Sequence, residues 1–273
     1  MGAQRVAAGH LVLAGFGGWL GTVAPPWLGR LMPGTVAVEP VISPGVNLLV
    51  GDVAADAVPR LLADVLTDGS DRAGRAMARG ALQARLYSGA VAGHAPLRAV
   101  LALVPSTAGV SAALCLADPR LSATASDDCV TALTTALRLH RADPRPAVPA
   151  RAEVARLRDL LRTLDARRRL GLDELGAAPT SGRQANAAQH LASAYAAAGR
   201  AAATLQPPPL AVGPAQRLAD ALALGAAAYE RLGAAADEHS PAAFRRARSR
   251  ALAADRAVQG ALAALAAVGY ASA

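Results

Sequence analysis

Residues 82–117 read LQARLYSGAVAGHAPLRAVLALVPSTAGVSAALCLA, and this stretch decides the fold of the first half of the chain. Together with the preceding Ala81 it forms three apolar runs, 81–88, 97–104 and 109–116, of the kind that favours extended structure. Their connections are short and contain glycine or proline, as turns do. Short connections between successive strands are typical of antiparallel pairs. The stretch therefore predicts an antiparallel meander.

Further elements flank the meander on both sides. Earlier apolar runs predict strands at 11–16, 35–38 and 46–50. AADAVPRLLADVL (54–66) predicts a short helix if Pro59 lies in its first turn. SDDCVTALTTALRL (126–139) predicts a helix with Ser126 as N-cap and an apolar stripe of Val130, Leu133 and Leu137.

The texture of the chain changes after HRADPRPAVP (140–149), a proline-rich segment that predicts a linker. Four Ala/Leu/Arg-rich segments with helical apolar spacing follow, each preceded by a breaker. The breakers are Val148-Pro149, Ala178-Pro179-Thr180, Gln206-Pro207-Pro208-Pro209 and Ser240-Pro241. Long helices with short loops predict an up-down four-helix bundle. We therefore expect an α+β chain with domains 1–145 and 149–273.

Charge and composition limit the classes of partner and reaction. The 273 residues carry a net charge of +8 and no lysine, which excludes lysine Schiff-base and P-loop chemistry. Residues 1–148 hold 12 arginines against 10 acids, and 149–273 hold 16 against 10. Those arginines alternate with acids and lack interleaved aromatics, so specific nucleic-acid binding is disfavoured. An anionic cell-envelope component or a partner protein remains open as the partner.

Residues 6–29 carry no formal charge, yet they fit neither a membrane span nor a signal peptide. The run contains His10, several glycines and the pair Pro25-Pro26, which interrupt an apolar helix. The sequence therefore predicts no transmembrane segment and shows no clear export signal.

Catalytic motifs are missing from the sequence. There is no GxSxG, and GFGGWLG (15–21) does not space its glycines as GxGxxG. The histidines at 10, 94, 140, 190 and 239 are scattered without CxxC or HxxxH patterns. We predict no catalytic, cofactor-binding or metal-ligating residues, and we interpret His190 as a residue at the core edge of its helix. Trp19 and Trp27 are interpreted as packing anchors, with a ligand-facing role as the alternative.

Cys115 closes a predicted strand and Cys129 opens the following predicted helix. A strand end and the next helix start are natural neighbours, so the positions favour a disulfide. Two buried free thiols are the alternative, with a catalytic or metal-bound cysteine behind both.

The first half resembles the small PsbP/Mog1-like α/β domains of exported actinobacterial proteins. The similar stretches are GHLVLAGFGGW (9–19), GVNLLVGDVAADAVPRLL (45–62), 82–117 and DDCVTALTTALRL (127–139). The second half is similar to the Ala/Arg-rich helical segments that accompany such domains, some of them joined to membrane Ser/Thr kinases. RQANAAQHLASAYAAAGRAAATL (183–205) carries that similarity. FGGW (16–19) departs from the family in lacking a proline before the glycine and tryptophan.

The resemblance implies an extracytoplasmic location, in the cell envelope or secreted, a strand-to-helix disulfide, and binding or sensing without catalysis. We expect a non-enzymatic binding, sensor or scaffolding module with no cofactor. Two alternatives stay open: a cytoplasmic interaction or nucleic-acid-associated protein, and an enzyme whose site is assembled from loops.

Overall fold

The computed structural model describes residues 5–14, 19–26, 28, 32, 34–40, 46–54, 57–66, 74–94, 96–121 and 124–270. The fold class is α+β, as predicted, with antiparallel sheets and, among the described residues, six α-helices. The chain divides into two compact units. Unit 1 comprises Met1–Pro149, Pro208–Val212 and Ala266–Ala271, and unit 2 comprises Ala150–Pro207, Gly213–Leu265 and Ser272–Ala273. The domains expected from the sequence, 1–145 and 149–273, are not the same as these two units and remain a prediction.

The main sheet of unit 1 has seven described strands, all paired antiparallel in the order β3-β4-β5-β9-β8-β7-β6. They are β3 (Trp19–Thr22), β4 (Val36–Pro40), β5 (Val46–Val53), β6 (Arg75–Arg79), β7 (Leu82–Ala90), β8 (Arg98–Ser106) and β9 (Gly109–Ala117). The meander predicted from 82–117 is confirmed as β7, β8 and β9. Ser106 pairs with Gly109 across the tight β8–β9 turn, where Gly109 has a φ of 127°.

A second, three-stranded sheet consists of β1 (Arg5–Ala8), β2 (Leu11–Ala14) and β10 (Leu137–Leu139) in the order β1-β2-β10. The strand predicted for 11–16 is present over 11–14, and residues 15–16 lie outside the described residues. The prediction of a helix up to 139 was wrong at its end. The helix stops at Ala136 because Leu137 is extended and pairs with Leu13 of β2.

Two helices complete unit 1, α1 (Val58–Val65) and α2 (Ala125–Ala136). Pro59 lies in the first turn of α1, as its missing N–H requires. The N-cap residue of α2 is Thr124, which corrects the predicted Ser126, and Asp127 and Asp128 lie in its first turn.

The core of unit 1 lies between the main sheet and a layer formed by α2 and the small sheet. Alternate residues of β5, β8 and β9 face this layer, including the buried Leu48, Val100 and Cys115. Leu13 from β2 and Leu133 from α2 close the core from the other side. The one-turn helix Pro209–Ala211, also part of unit 1, contacts β8 and β9.

Unit 2 contains the four long helices that the breakers predict. They are α3 (Arg151–Ala177), α4 (Ser181–Ala203), α5 (Val212–Asp237, whose first residue belongs to unit 1) and α6 (Pro241–Leu265). Their starts follow the predicted signals. The hydroxyl of Thr180 accepts the Arg183 N–H at 3.3 Å, and that of Ser240 accepts the Ala243 N–H at 3.4 Å. The small residues of these helices let their backbones approach one another, as at Gly171 of α3 beside Leu191 of α4.

Candidate functional site

The two cysteines lie where the sequence analysis placed them, at the end of β9 and at the start of α2. Cys115 and Cys129 are fully buried and at disulfide-bonding distance, with their Cα atoms 5.5 Å apart. Cys115 pairs with Leu48 on one neighbouring strand and Val100 on the other, so the pair joins α2 to the centre of the main sheet. A pair so buried joins core elements and offers solvent no nucleophile.

Trp19 begins β3 and its backbone pairs with Pro40 of β4. The side chain of Trp19 and the whole of Trp27 lie outside the described part of the structure. Their role toward a ligand stays a prediction.

A groove of about 330 Å³ lies on unit 1 next to β3, and we call it the unit 1 groove. Its floor includes Ala37 of β4, Leu49 of β5 and Leu116 of β9. Leu49 and Leu116 alternate along their strands with the core residues Leu48 and Cys115, so the groove lies on the sheet face opposite α2. The remaining lining residues are Thr22, Val23, Pro25, Asn47, Leu97, Asp118 and Leu121.

The rim of this groove exposes large apolar side chains to solvent. Val23 is 88% exposed and Leu121 is 67% exposed. Apolar side chains grouped beside a concave surface are typical of a binding site.

Asp118 is the only ionisable side chain among the described residues that line the unit 1 groove. Its carboxylate accepts hydrogen bonds from the Arg120 guanidinium at 2.9 and 3.1 Å and from the Arg120 backbone N–H at 2.9 Å. The side-chain bonds, followed by the backbone bond, hold the pKa of Asp118 below its usual value. A carboxylate of lowered pKa has no proton to donate at neutral pH and is a weak base, so Asp118 is poorly suited to either role in acid–base catalysis.

A serine, an aspartate and a histidine also meet in unit 1, and the sequence analysis missed this cluster. Asp52 and Ser111 are cross-strand partners on β5 and β9, and His10 lies in the β1–β2 turn. The Ser111 hydroxyl donates to Asp52 Oδ1 at 2.6 Å, and His10 Nδ1 lies 3.1 Å from Asp52 Oδ2. The aspartate stands between the serine and the histidine, whereas nucleophilic catalysis needs the histidine in the middle. Ser111 is also buried, so the cluster is structural.

A second polar cluster that the sequence analysis missed joins three helices of unit 2. Arg168 of α3 donates from Nη2 to Asp255 Oδ2 of α6 at 2.8 Å and from Nε to the Tyr195 hydroxyl of α4 at 3.0 Å. The Tyr195 hydroxyl in turn donates to Asp255. The hydrogen bond that Arg168 donates to Asp255 raises the pKa of Arg168, and burial followed by the bond to Asp255 raises the pKa of Tyr195.

The Tyr195 ring also lies against that of Tyr229 on α5, with centroids 5.3 Å apart. Burial raises the pKa of Tyr229 as well. The three polar side chains Arg168, Tyr195 and Asp255 satisfy one another, and we call them the unit 2 polar cluster. Their sequence separations, 27 and 60 residues for the bonds to Tyr195, hid the cluster from any local motif.

His190 departs from its prediction. Its side chain is 68% exposed and its Nδ1 lies 2.9 Å from Glu174 Oε2 of α3, so it belongs to the surface and not to the core edge. No group of three or more metal-ligating side chains occurs in the part of the chain that the structure describes.

One helical stretch, Pro241–Tyr270, has the length and composition to cross a membrane. Its mean hydropathy over the most apolar window is 1.3, and a third of that window is buried within the protein. Core helices of globular proteins meet the same criterion, so the stretch is weak support for a membrane span. The prediction that the chain has no transmembrane segment stays a prediction.

Comparison with protein-family models, with curated proteins and with solved structures finds no match to this chain.

Proposed function

We propose that the protein is a non-enzymatic extracytoplasmic binding module whose ligand site is the unit 1 groove. The observation that carries the proposal is the combination of an apolar floor, the exposed Val23 and Leu121, and a single ionisable side chain already paired with Arg120. Such a groove would take an apolar segment of a partner protein or of an envelope component.

The placement outside the cytoplasm rests on the cysteines. A buried pair at disulfide-bonding distance supports an oxidising compartment, because reducing systems keep cytoplasmic thiols unpaired. The same proposal takes unit 1 as PsbP/Mog1-like and α3 to α6 as an up-down four-helix bundle. The antiparallel main sheet beside α2 supports the first, and the unit 2 polar cluster, which links α3, α4 and α6, supports the second.

Two measurements test the proposal. The first is the mass of the peptides containing Cys115 and Cys129, with and without reduction, after thiol blocking in the native cell. A linked pair is expected. Two blocked free thiols would contradict the extracytoplasmic placement and favour a cytoplasmic interaction protein.

The second measurement is titration of the folded protein with Nile red, an uncharged apolar fluorophore. Val23→Asp with Leu121→Asp is expected to weaken binding by about tenfold or more, because charges at the rim oppose entry of an apolar ligand. Leu170→Asp with Leu224→Asp, which adds the same charge at two exposed leucines of unit 2 (62% each), is the matched control and should leave binding unchanged. If the rim variant and the control variant lose Nile red affinity equally, the unit 1 groove is not the binding site.

A further inference from the structure

A second groove lies wholly within unit 2, beside the unit 2 polar cluster, and we call it the α3–α6 groove. It encloses about 600 Å³, within the range of small-molecule sites. Its residues on α3 run from Arg158 to Arg168, which at ~1.5 Å per residue gives a length of about 15 Å. The groove therefore extends along about three turns of α3.

The floor of the α3–α6 groove is aliphatic. Leu164 of α3 and Val258 of α6 are buried, and Leu161 and Leu262 are half-buried and present apolar surface to the groove. Tyr195 supplies the aromatic part of the lining, and its hydroxyl is engaged with Arg168 and Asp255. An extended aliphatic chain matches such a floor.

The residues that line the α3–α6 groove carry more positive than negative charge. Within it, Arg168 pairs with Asp255, and Asp165 pairs with Arg169. Three further guanidiniums remain on the rim: Arg158, Arg162 and Arg256.

Among the described residues, no ion pair or hydrogen bond engages the Arg158 or Arg256 guanidinium. Arg162 meets Asp159 at 3.2 Å with both side chains 71% exposed, a pairing that solvent makes weak. Arg158 and Arg162 are four residues apart and share one face of α3, so they can act on one anionic group together.

From the aliphatic floor and the three rim arginines we infer that the α3–α6 groove binds a single-chain anionic amphiphile. Its acyl chain lies along Leu161, Leu164, Val258 and Leu262, and its phosphate or carboxylate head is held by Arg158 and Arg162. Arg256, next to the Asp255 that binds Arg168, adds positive charge at the other end of the groove. The inference stands independently of the unit 1 groove, because it uses residues of unit 2 alone.

Isothermal titration with dodecyl phosphate, below its critical micelle concentration, tests the inference on the full chain. One molecule is expected to bind per chain, with an affinity that falls as salt rises. Inorganic phosphate and dodecanol, which each lack one half of the ligand, are expected to bind at least about tenfold more weakly.

Two variant pairs locate the site. Arg158→Gln with Arg162→Gln should weaken dodecyl phosphate binding by about tenfold or more, because charge-assisted hydrogen bonds to the head are lost. Arg217→Gln with Arg231→Gln removes the same charge from α5 and should bind as the unaltered chain does. Leu161→Gln should weaken binding, and Leu172→Gln, at a half-buried position of α3 outside the groove, should not. Circular dichroism of each variant confirms that it is folded.

Several outcomes would overturn the inference. Equal losses in the two arginine pairs would indicate attraction by net charge alone. If inorganic phosphate binds as tightly as dodecyl phosphate, the site binds anions and makes no use of the acyl chain. If dodecanol binds as tightly, the site is apolar and makes no use of the anionic head. Binding to phosphatidylglycerol vesicles without binding of monomeric dodecyl phosphate would indicate a membrane-surface contact. Binding of an acidic amphipathic peptide alone would indicate a protein partner.

Discussion

At the scale of single residues, the Asp52 side chain connects the β1–β2 turn to the main sheet. Its carboxylate accepts the Ser111 hydroxyl and the His10 backbone N–H, and it also meets the His10 ring. Gly9 has a φ of 56°, and a Cβ there would overlap the Asp52 carboxylate. The β1–β2 turn is thereby fixed against the main sheet, and both oxygens of the Asp52 carboxylate have partners.

Asp52→Ala is expected to destabilise the protein by about 1–3 kcal/mol, because the buried Ser111 hydroxyl loses its acceptor. Replacing both residues with alanine should cost less than Asp52→Ala alone, since no orphaned hydroxyl remains. Urea unfolding followed by circular dichroism measures both values. A double variant less stable than the single one would contradict this account.

Tyr195 gives a prediction in pH. Burial and the bond to Asp255 raise its pKa above the ordinary 10.0, so the folded state holds the proton more tightly than the unfolded chain. The stabilisation that this difference in pKa gives the folded state is fully present below pH 10, and it is lost as pH rises through the raised pKa of Tyr195.

Tyr195→Phe should therefore be less stable than the unaltered chain at pH 8, and the difference should shrink above pH 10. Urea midpoints at pH 8, 10 and 11 measure it. A constant difference across these pH values would show that Tyr195 ionises as freely in the folded state as in the unfolded one.

At the scale of elements, two glycines of α3 allow the effect of side-chain packing on stability to be measured apart from the effect of helix propensity. A Cβ at Gly171 would lie 2.7 Å from Leu191 Cγ of α4, closer than carbon atoms pack. At Gly176 nothing lies within 4 Å of the added Cβ. The same helix therefore offers one crowded and one open glycine.

Gly176→Ala is expected to stabilise the protein by up to about 1 kcal/mol, the propensity difference between the two residues. Gly171→Ala should destabilise it by about 1–2 kcal/mol, because overpacking against Leu191 exceeds that gain. Thermal unfolding of the two variants makes the comparison. Stabilisation of both would mean that α3 and α4 lie farther apart at Gly171 than the structure has them.

Local signals in the sequence account for much of the element layout. Proline breakers and N-cap residues predicted α3 to α6, and apolar runs with short turns predicted β7 to β9. The edge strand β6 was missed, because RAMAR (75–79) is largely exposed and carries no alternation of apolar residues. β10 was missed because Leu137–Leu139 continues a helical pattern, and only pairing with the distant β2 makes it a strand.

The candidate sites were less accessible to sequence reasoning than the elements. The strand-to-helix position of Cys115 and Cys129 was predictable because 14 residues separate them. The unit 1 groove combines residues from β3 to the turn after β9. The α3–α6 groove combines α3 and α6, which lie about ninety positions apart, with Tyr195 of α4. No local pattern encodes such surfaces, since tertiary packing alone creates them.

At the scale of the whole molecule, unit 1 includes chain from both halves of the sequence. Pro208–Val212 and Ala266–Ala271 belong to it, although the stretches directly before them, Ala150–Pro207 and Gly213–Leu265, belong to unit 2. The Tyr87 hydroxyl of β7 donates to the Ala267 carbonyl at 2.8 Å, and Gly269 lies close to the buried Arg85. The segment 266–270 is thus part of the packing of the sheet unit.

Tyr87→Phe is expected to destabilise unit 1 by about 1 kcal/mol through loss of this hydrogen bond, and deletion of 266–273 should cost more. Hydrogen exchange with mass spectrometry should show faster exchange in β7 and β8, with the central turns of α4 as the internal reference. Unchanged exchange in β7 after the deletion would show that unit 1 is complete without the segment.

The contact between Tyr87 and Ala267 also determines how late in its synthesis unit 1 can acquire all of its contacts. The two residues are 180 positions apart. A ribosome adding ~5–20 residues per second needs roughly 10–35 s to travel between them. The nascent chain therefore carries unit 1 without this packing segment while all four long helices are synthesised, and the contact forms only after residues 266–270 have been added.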